Sequence, residues 1–194
     1  GNVVYRFPAS RIGDMEFVGG NTLVVMGKSF ALADVDAMSV NEVSVQDNNV
    51  VISYNGGTAT VEVSGNVARF VDVVVDGAHV NIIQSNTDAV DGDEITYTLG
   101  GTTTEGYFSL SGEYKCTVQL AGLELTNPSG AALEIANGKR IKLSAKSGTV
   151  NSLTDGSGGS HKGCIYSKGQ LQIQGNGVLN ITANTKHAIK SGDY

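Results

Sequence analysis

The run Leu123-x-Leu125-Thr126, followed by Ala132-Leu133, returns 56 residues later as Leu179-x-Ile181-Thr182, followed by Ala188-Ile189. Half-copies lie between the two. A short apolar strand repeated at such spacing cannot bury its own apolar side, so the copies are constrained to stack on one another. Further matches set the stacking. Ala131-Ala132-Leu133-Glu134-Ile135, Gly163-Cys164-Ile165-Tyr166-Ser167 and His187-Ala188-Ile189-Lys190-Ser191 superpose at offsets of 32 and then 24 residues. Each is followed by a glycine-containing corner. Ile141-Lys142-Leu143 likewise matches Leu171-Gln172-Ile173, and Ser152-Leu153-Thr154 matches Asn180-Ile181-Thr182. Three short strands per turn, each alternating apolar and polar, predict an all-β chain wound as a right-handed parallel β-helix, with the apolar members inward.

Composition agrees. The 194 residues are 40% apolar, enough for a long core, and 26 Gly against two Pro suit many tight corners. Amphipathic helices are not expected, because no stretch of ten residues holds a 3.6 period free of glycine or β-branched runs. A formal net charge of −6 argues against a nucleic-acid partner.

The chain before the repeats reads differently. Residues 7–17 and 30–40 share Phe, a β-branched residue and Met at the same steps, and each copy is expected to form a turn plus a short strand. Gly19-Gly20-Asn21 suggests a hairpin connection between them. Further on, Asn55-Gly56-Gly57 and Asp76-Gly77 separate alternating runs, the strongest short-range hairpin signal. Residues 1–86 are therefore predicted to be an antiparallel N-terminal region that caps the stack, and 87–194 the β-helix. Such a cap would cover strand edges and an open apolar core. At the other end the chain stops early in a turn. Either the natural chain continues beyond Tyr194, or Tyr194 or another molecule closes that end, which makes self-association through the open C-terminal coil an expectation.

Cys116 and Cys164 match no redox or zinc spacing and read as buried free thiols rather than a disulfide. Cys116 is in phase with Val118 and Leu120; Cys164 falls among the small residues Ala132 and Ala188. The chain opens on Gly1-Asn2 without Met and has no transmembrane run, which reads as a leader already removed.

Several stretches together resemble a known family. They are Ile95-Thr96-Tyr97-Thr98-Leu99-Gly100-Gly101-Thr102, the run from Gly122 to Leu133, Gly138-Lys139-Arg140-Ile141, Leu153-Thr154-Asp155-Gly156 and the run from Lys162 to Gly169. The resemblance is to bacterial β-helix carbohydrate-binding domains, non-catalytic and calcium-binding relatives of pectate lyases that bind acidic plant polysaccharides such as polygalacturonate. It covers roughly residues 90 to 194. Phe30-Ala31-Leu32-Ala33-Asp34-Val35-Asp36 is similar to the opening of secreted glycan-scavenging lipoproteins, which implies the cell envelope and a lipid-anchored precursor. That family's domain is usually longer, which implies that only the first coils are present here.

Two candidate sites follow. Asp88, Asp91, Asp93 and Glu94 surround Gly92 and offer the oxygen-rich, bendable loop that calcium prefers, although a solvated linker has the same composition. Asp155, before a Gly/Ser-rich loop, is a weaker one. On the repeats, Glu134, Tyr166 and Lys190 are equivalent positions, as are Gly130, Lys162 and Lys186, with His161 and His187 close by. If Ile165 and Ile189 point inward, Tyr166 and Lys190 point outward, about 5 Å apart from turn to turn. An aromatic platform beside ammonium groups suits a uronate polymer. Gln170, Gln172 and Gln174 form another polar face. Solvated strands carry the same residue types, so this face is a candidate only.

Catalysis is not expected. Glycoside hydrolysis needs paired carboxylates across a cleft, Arg140 and Lys142 lie beside no recognisable calcium ligands, and His79, His161 and His187 have no triad partners. The sequence thus predicts non-catalytic binding of an acidic polysaccharide at the bacterial envelope, with calcium as candidate cofactor. The alternatives are a structural or adhesive envelope protein without glycan affinity and, less favoured, a polysaccharide lyase.

Overall fold

The computed structural model describes residues 2–192, so the expectation placed on Tyr194 lies outside the described residues. The chain is all-β. Strand β1 (Asn2–Arg6) leads into a small antiparallel sheet of β2 (Met15–Val18), β3 (Thr22–Val25) and β4 (Lys28–Ala31). Two antiparallel hairpins follow, β5 (Asn49–Asn55) with β6 (Thr58–Ser64) and β7 (Val71–Asp76) with β8 (His79–Gln84). Their turns are the Gly56-Gly57 and Gly77-Ala78 steps. Beyond them run β9 (Ile95–Thr103), β10 (Tyr107–Gly112), β11 (Cys116–Thr126), β12 (Leu133–Ile135) and β13 (Ile141–Ala145). The last strands are β14 (Val150–Thr154), β15 (Gly163–Ser167), β16 (Leu171–Gly175), β17 (Val178–Thr182) and β18 (His187–Ser191).

These strands form two larger sheets, and the chain alternates between them. The first is ordered β1-β6-β5-β9-β11-β13-β16, with β14 joining β11 to β17; the second is β18-β15-β12-β10-β8-β7. From β9 onward every pairing is parallel. The registers equal the sequence repeats: Leu133 faces Ile165, which faces Ile189. Leu125 faces Leu153, which faces Ile181. Ile141 faces Leu171.

Alternation then sorts side chains into a shared core. Val50, Tyr97, Val118 and Leu143 form one buried inward column, and Val80, Phe108, Leu133 and Ile165 another. Removing such side chains from water stabilises the fold by about 1.5–3 kcal/mol each. Both cysteines are free and buried. Burial pushes the Cys164 thiol up to about 12, with Asp155 adding to the effect, and it raises the Cys116 thiol well above its ordinary value.

The N-terminal duplication is a correction. The first copy does give a turn and a strand, a 3-10 turn over Ala9–Asp14 and then β2. In the second copy the order inverts: β4 precedes a 3-10 turn at Leu32–Asp34, and no strand forms over residues 35–46. Asp34, Asp36 and Ser39 interrupt the apolar residues, and Val40 is left 91% exposed, so this segment has no face to bury.

Candidate functional site

The outward side of the second sheet carries the candidate site. In β10, Phe108 and Leu110 point into the core, so Tyr107 and Ser109 point out. The parallel registers line up Asn81, Ser109, Glu134, Tyr166 and Lys190 in one outward row from β8 to β18. Beside it His79 faces Tyr107.

Two loops wall this row. After β11, the Asn127 side chain accepts the Ser129 N–H at 3.0 Å and donates to the Ala131 carbonyl at 2.7 Å, which folds Pro128–Gly130 into a projecting corner. The loop after β14 packs against that corner, with the Gly156 N–H donating to the Gly130 carbonyl at 3.1 Å. Gly130 and Gly159 touch so closely that a side chain on Gly159 would meet Gly130 Cα at 2.9 Å. The result is a groove of about 410 Å³ whose polar lining includes His79, Asn81, Tyr107, Ser109, Glu134 and His161.

Aromatic stacks border the groove at two places. His79 lies over Tyr107 with ring centroids 4.7 Å apart and an interplanar angle of 12°. His161 lies over Tyr166 at 3.5 Å and 10°. Asn81 donates to the Tyr107 hydroxyl at 3.0 Å, and the Tyr107 carbonyl accepts from the Tyr54 hydroxyl at 3.0 Å, so this tyrosine is held from both ends. His161 Nε2 is 3.5 Å from Glu134 Oε1. Chemically the groove offers aromatic rings beside amide, hydroxyl and carboxylate groups, a mixture that suits a ligand with both apolar faces and hydroxyls.

Of the residues singled out in the sequence, Glu134 lines the groove. Tyr166 does not: it is half-buried, with one ring face covered by His161. Lys162, Lys186 and Lys190 are exposed and outside the groove lining. Tyr107, Asn81, Ser109 and Glu105 were not anticipated. The signal for Tyr107 was present, since Tyr107-Phe108-Ser109-Leu110 alternates like the strands at 131–135 and aligns with them.

The acidic segment forms a tight turn. Val90 and Asp93 exchange backbone hydrogen bonds at 3.0 Å around a two-residue turn, with Asp91 and Gly92 at φ of 50° and 87°. Asp91 accepts from Asn66 at 2.9 Å and stands 3.9 Å from Arg11. Asp93 accepts the Glu94 N–H. Glu94 faces Lys115, Arg140 and Lys142, and the Asp88 carbonyl accepts from Asn86. Among the described residues no three His, Cys, Asp or Glu side chains gather as a metal site. Asp91, Asp93 and Glu94 thus serve different local partners rather than one shared centre.

Comparison with known proteins adds the following. The sequence profile of a family described as carbohydrate-binding domain-containing protein matches residues 89–194, more than half of the chain. A curated relative from Acetivibrio thermocellus, itself described as a carbohydrate-binding domain-containing protein, is 28% identical over 157 residues. The match takes in 69% of this chain and 53% of the relative, so the chain spans about half the length of the curated relative it matches. No solved structure matches. The parallel strands from β9 onward fall within the matched residues, as does most of the groove lining apart from His79 and Asn81, and the chain belongs to the carbohydrate-binding domain-containing protein family.

Proposed function

We propose that this protein is a non-catalytic glycan-binding module of the bacterial envelope, wound as a right-handed parallel β-helix that residues 1–86 cap. Its ligand lies in the groove on the outer face of the second sheet. The observation that carries this reading is the groove itself, where Tyr107, Asn81, Ser109 and Glu134 project from successive strands between two loop walls. A polymer leaving the groove past Tyr166 would meet Lys162, Lys186 and Lys190, which favours an acidic polysaccharide whose carboxylates fall at that end.

Isothermal titration with oligogalacturonides and with neutral oligosaccharides of equal length tests it. Tyr107→Ala is expected to weaken binding about tenfold, the equivalent of about 1.4 kcal/mol, with the circular dichroism spectrum unchanged. Lys190→Ala is expected to weaken the acidic ligands alone. Absence of binding to either class would overturn the proposal. The titration is run in calcium and in EDTA, since calcium at the acidic turn would have to displace Arg11, Asn66 and the cations facing Glu94. Loss of binding in EDTA would return the metal to that turn. Release of unsaturated uronates from the same oligomers would favour the lyase reading.

A second reading rests on the far end of the stack, where Ile173 is 56% and Val178 50% exposed. It makes the module self-associate there, and sedimentation that depends on concentration and is abolished by Ile173→Asp would support it.

A further inference from the structure

The first sheet carries a charge cluster that the groove does not use. Glu94, Lys115, Arg140 and Gln170 each immediately precede a strand, and the parallel registers align Ile95, Cys116, Ile141 and Leu171, the residues that follow them. The four side chains therefore originate in one row along the stack, about 4.8 Å apart per turn. Lys142, two positions into β13, is the outward neighbour of Thr117 and Gln172. Tyr114 flanks the row, its ring 5.6 Å from the Lys115 ammonium.

Three cations converge on one carboxylate. Lys115 Nζ is 3.3 Å and Arg140 3.7 Å from Glu94 Oε1, and Lys142 Nζ is 3.2 Å from Oε2. Glu94 is nearly covered, with 11% of its side chain exposed, whereas the cations remain 31–42% exposed. Three positive charges against one negative leave this spot at +2 on a chain whose net charge is −6. One partner would neutralise Glu94; the others add mutual repulsion. The pairs are also open. Arg6 and Glu62 close to 2.8 Å through two parallel bonds, the usual length of a charge-assisted hydrogen bond. The Glu94 distances are longer by several tenths of an ångström, so the donors surround the carboxylate without closing on it.

We infer that Lys115, Arg140 and Lys142 form an oxyanion-binding site, in which a ligand carboxylate, sulfate or phosphate completes the charge balance that Glu94 begins. Glu94 holds the three cations at strand spacing, and the ligand oxyanion binds on their exposed side. Thr117 and Gln172 flank the site with further hydrogen-bonding groups. It lies on the other sheet from the groove, and its occupancy does not depend on the groove being a glycan site.

The test is amide NMR of the full chain titrated with sodium sulfate against sodium chloride at constant ionic strength, and separately with glucuronate. Saturable shifts confined to residues around 94, 115, 140 and 142 are expected. Arg140→Gln and Lys142→Gln should each weaken sulfate at least fivefold, whereas Lys186→Gln and Tyr107→Ala leave it unchanged. Glu94→Gln should tighten it severalfold; where that variant does not fold, the two cation variants still decide. Saturation by glucuronate as well assigns a saccharide carboxylate, and saturation by sulfate alone assigns a tetrahedral anion. Shifts that spread over all lysines without saturating, or that persist in both cation variants, would overturn the site. Loss of oligosaccharide binding in Tyr107→Ala with sulfate binding intact would separate the groove from this site.

Discussion

Gly101 shows how closely neighbouring turns approach. It adopts a φ of +89°, and a Cβ there would stand 2.1 Å from the Tyr54 carbonyl oxygen, so backbone rather than a movable side chain blocks any larger residue. Gly122 also has a positive φ, +79°, but nothing lies within 4 Å of its Cβ position. It sits where β11 carries an extra residue relative to β9, between Leu120 and Leu123. Gly122→Ala is therefore expected to cost only the left-handed backbone, about 1 kcal/mol. Gly101→Ala adds a forced separation of β5 from β9 and should cost about 3 kcal/mol or more. Urea midpoints of the two variants check this, and equal shifts would mean that the strands part without cost. Asn151 makes a related point about legibility. Its buried side chain accepts from the Gly122 and Leu123 N–H groups and donates to the Val178 carbonyl, tying three turns together. In sequence it is one Asn among many in a polar corner, and nothing local marks it as internal.

Strands with repeated partners were readable, and strands without them were not. The pairings of β12 with β15, of β15 with β18, of β13 with β16, and of β14 with β17 follow the sequence matches residue for residue, because each apolar column must stay in register to remain buried. The groove was half legible. Glu134 lay in a recognised column, while the alignment of Tyr107-Phe108-Ser109-Leu110 with that column went unread, and the His161 stack that covers Tyr166 comes from a loop. The parallel attachment of β1 to β6 at the sheet edge is also long-range. Arg6 secures that edge through its two 2.8 Å bonds to Glu62, and these hold the Glu62 carboxyl below its ordinary value of 4.5. A lowered carboxyl contributes stability above its unfolded value and loses it as pH falls through the folded one. The pair is partly exposed, so the effect is below about 1 kcal/mol. Protection of the Val3–Arg6 amides is expected to drop about two- to fivefold relative to β11 as pH falls below 4. In Glu62→Gln the ratio should not change with pH; a drop of the same size there would show that other carboxyls govern the edge.

Under the β-helix reading proposed above, each turn packs mainly on its neighbours, and stability is distributed along the axis rather than pooled in one centre. The burial pattern has that form. Leu120 and Leu143 are fully or almost fully buried, yet Ile173, which continues the Leu143 column in β16, is 56% exposed among the described residues. The two ends also differ in kind: hairpins β5–β6 and β7–β8 lie against the first parallel strands, whereas β16, β17 and β18 each pair on one side among the described residues. Leu120→Ala is expected to destabilise the whole unit by about 2–5 kcal/mol. Ile173→Ala should cost less than about 1 kcal/mol, since little contact is lost. Hydrogen exchange should then rank the strands, with β9 and β11 slowest and β16 to β18 opening first, without unfolding of the groove at β8, β10 and β12. Uniform exchange across all turns, or an Ile173→Ala penalty equal to that of Leu120→Ala, would show that the last turn is held as firmly as the first. The groove and the oxyanion site would then share one cooperative unit with the end of the stack.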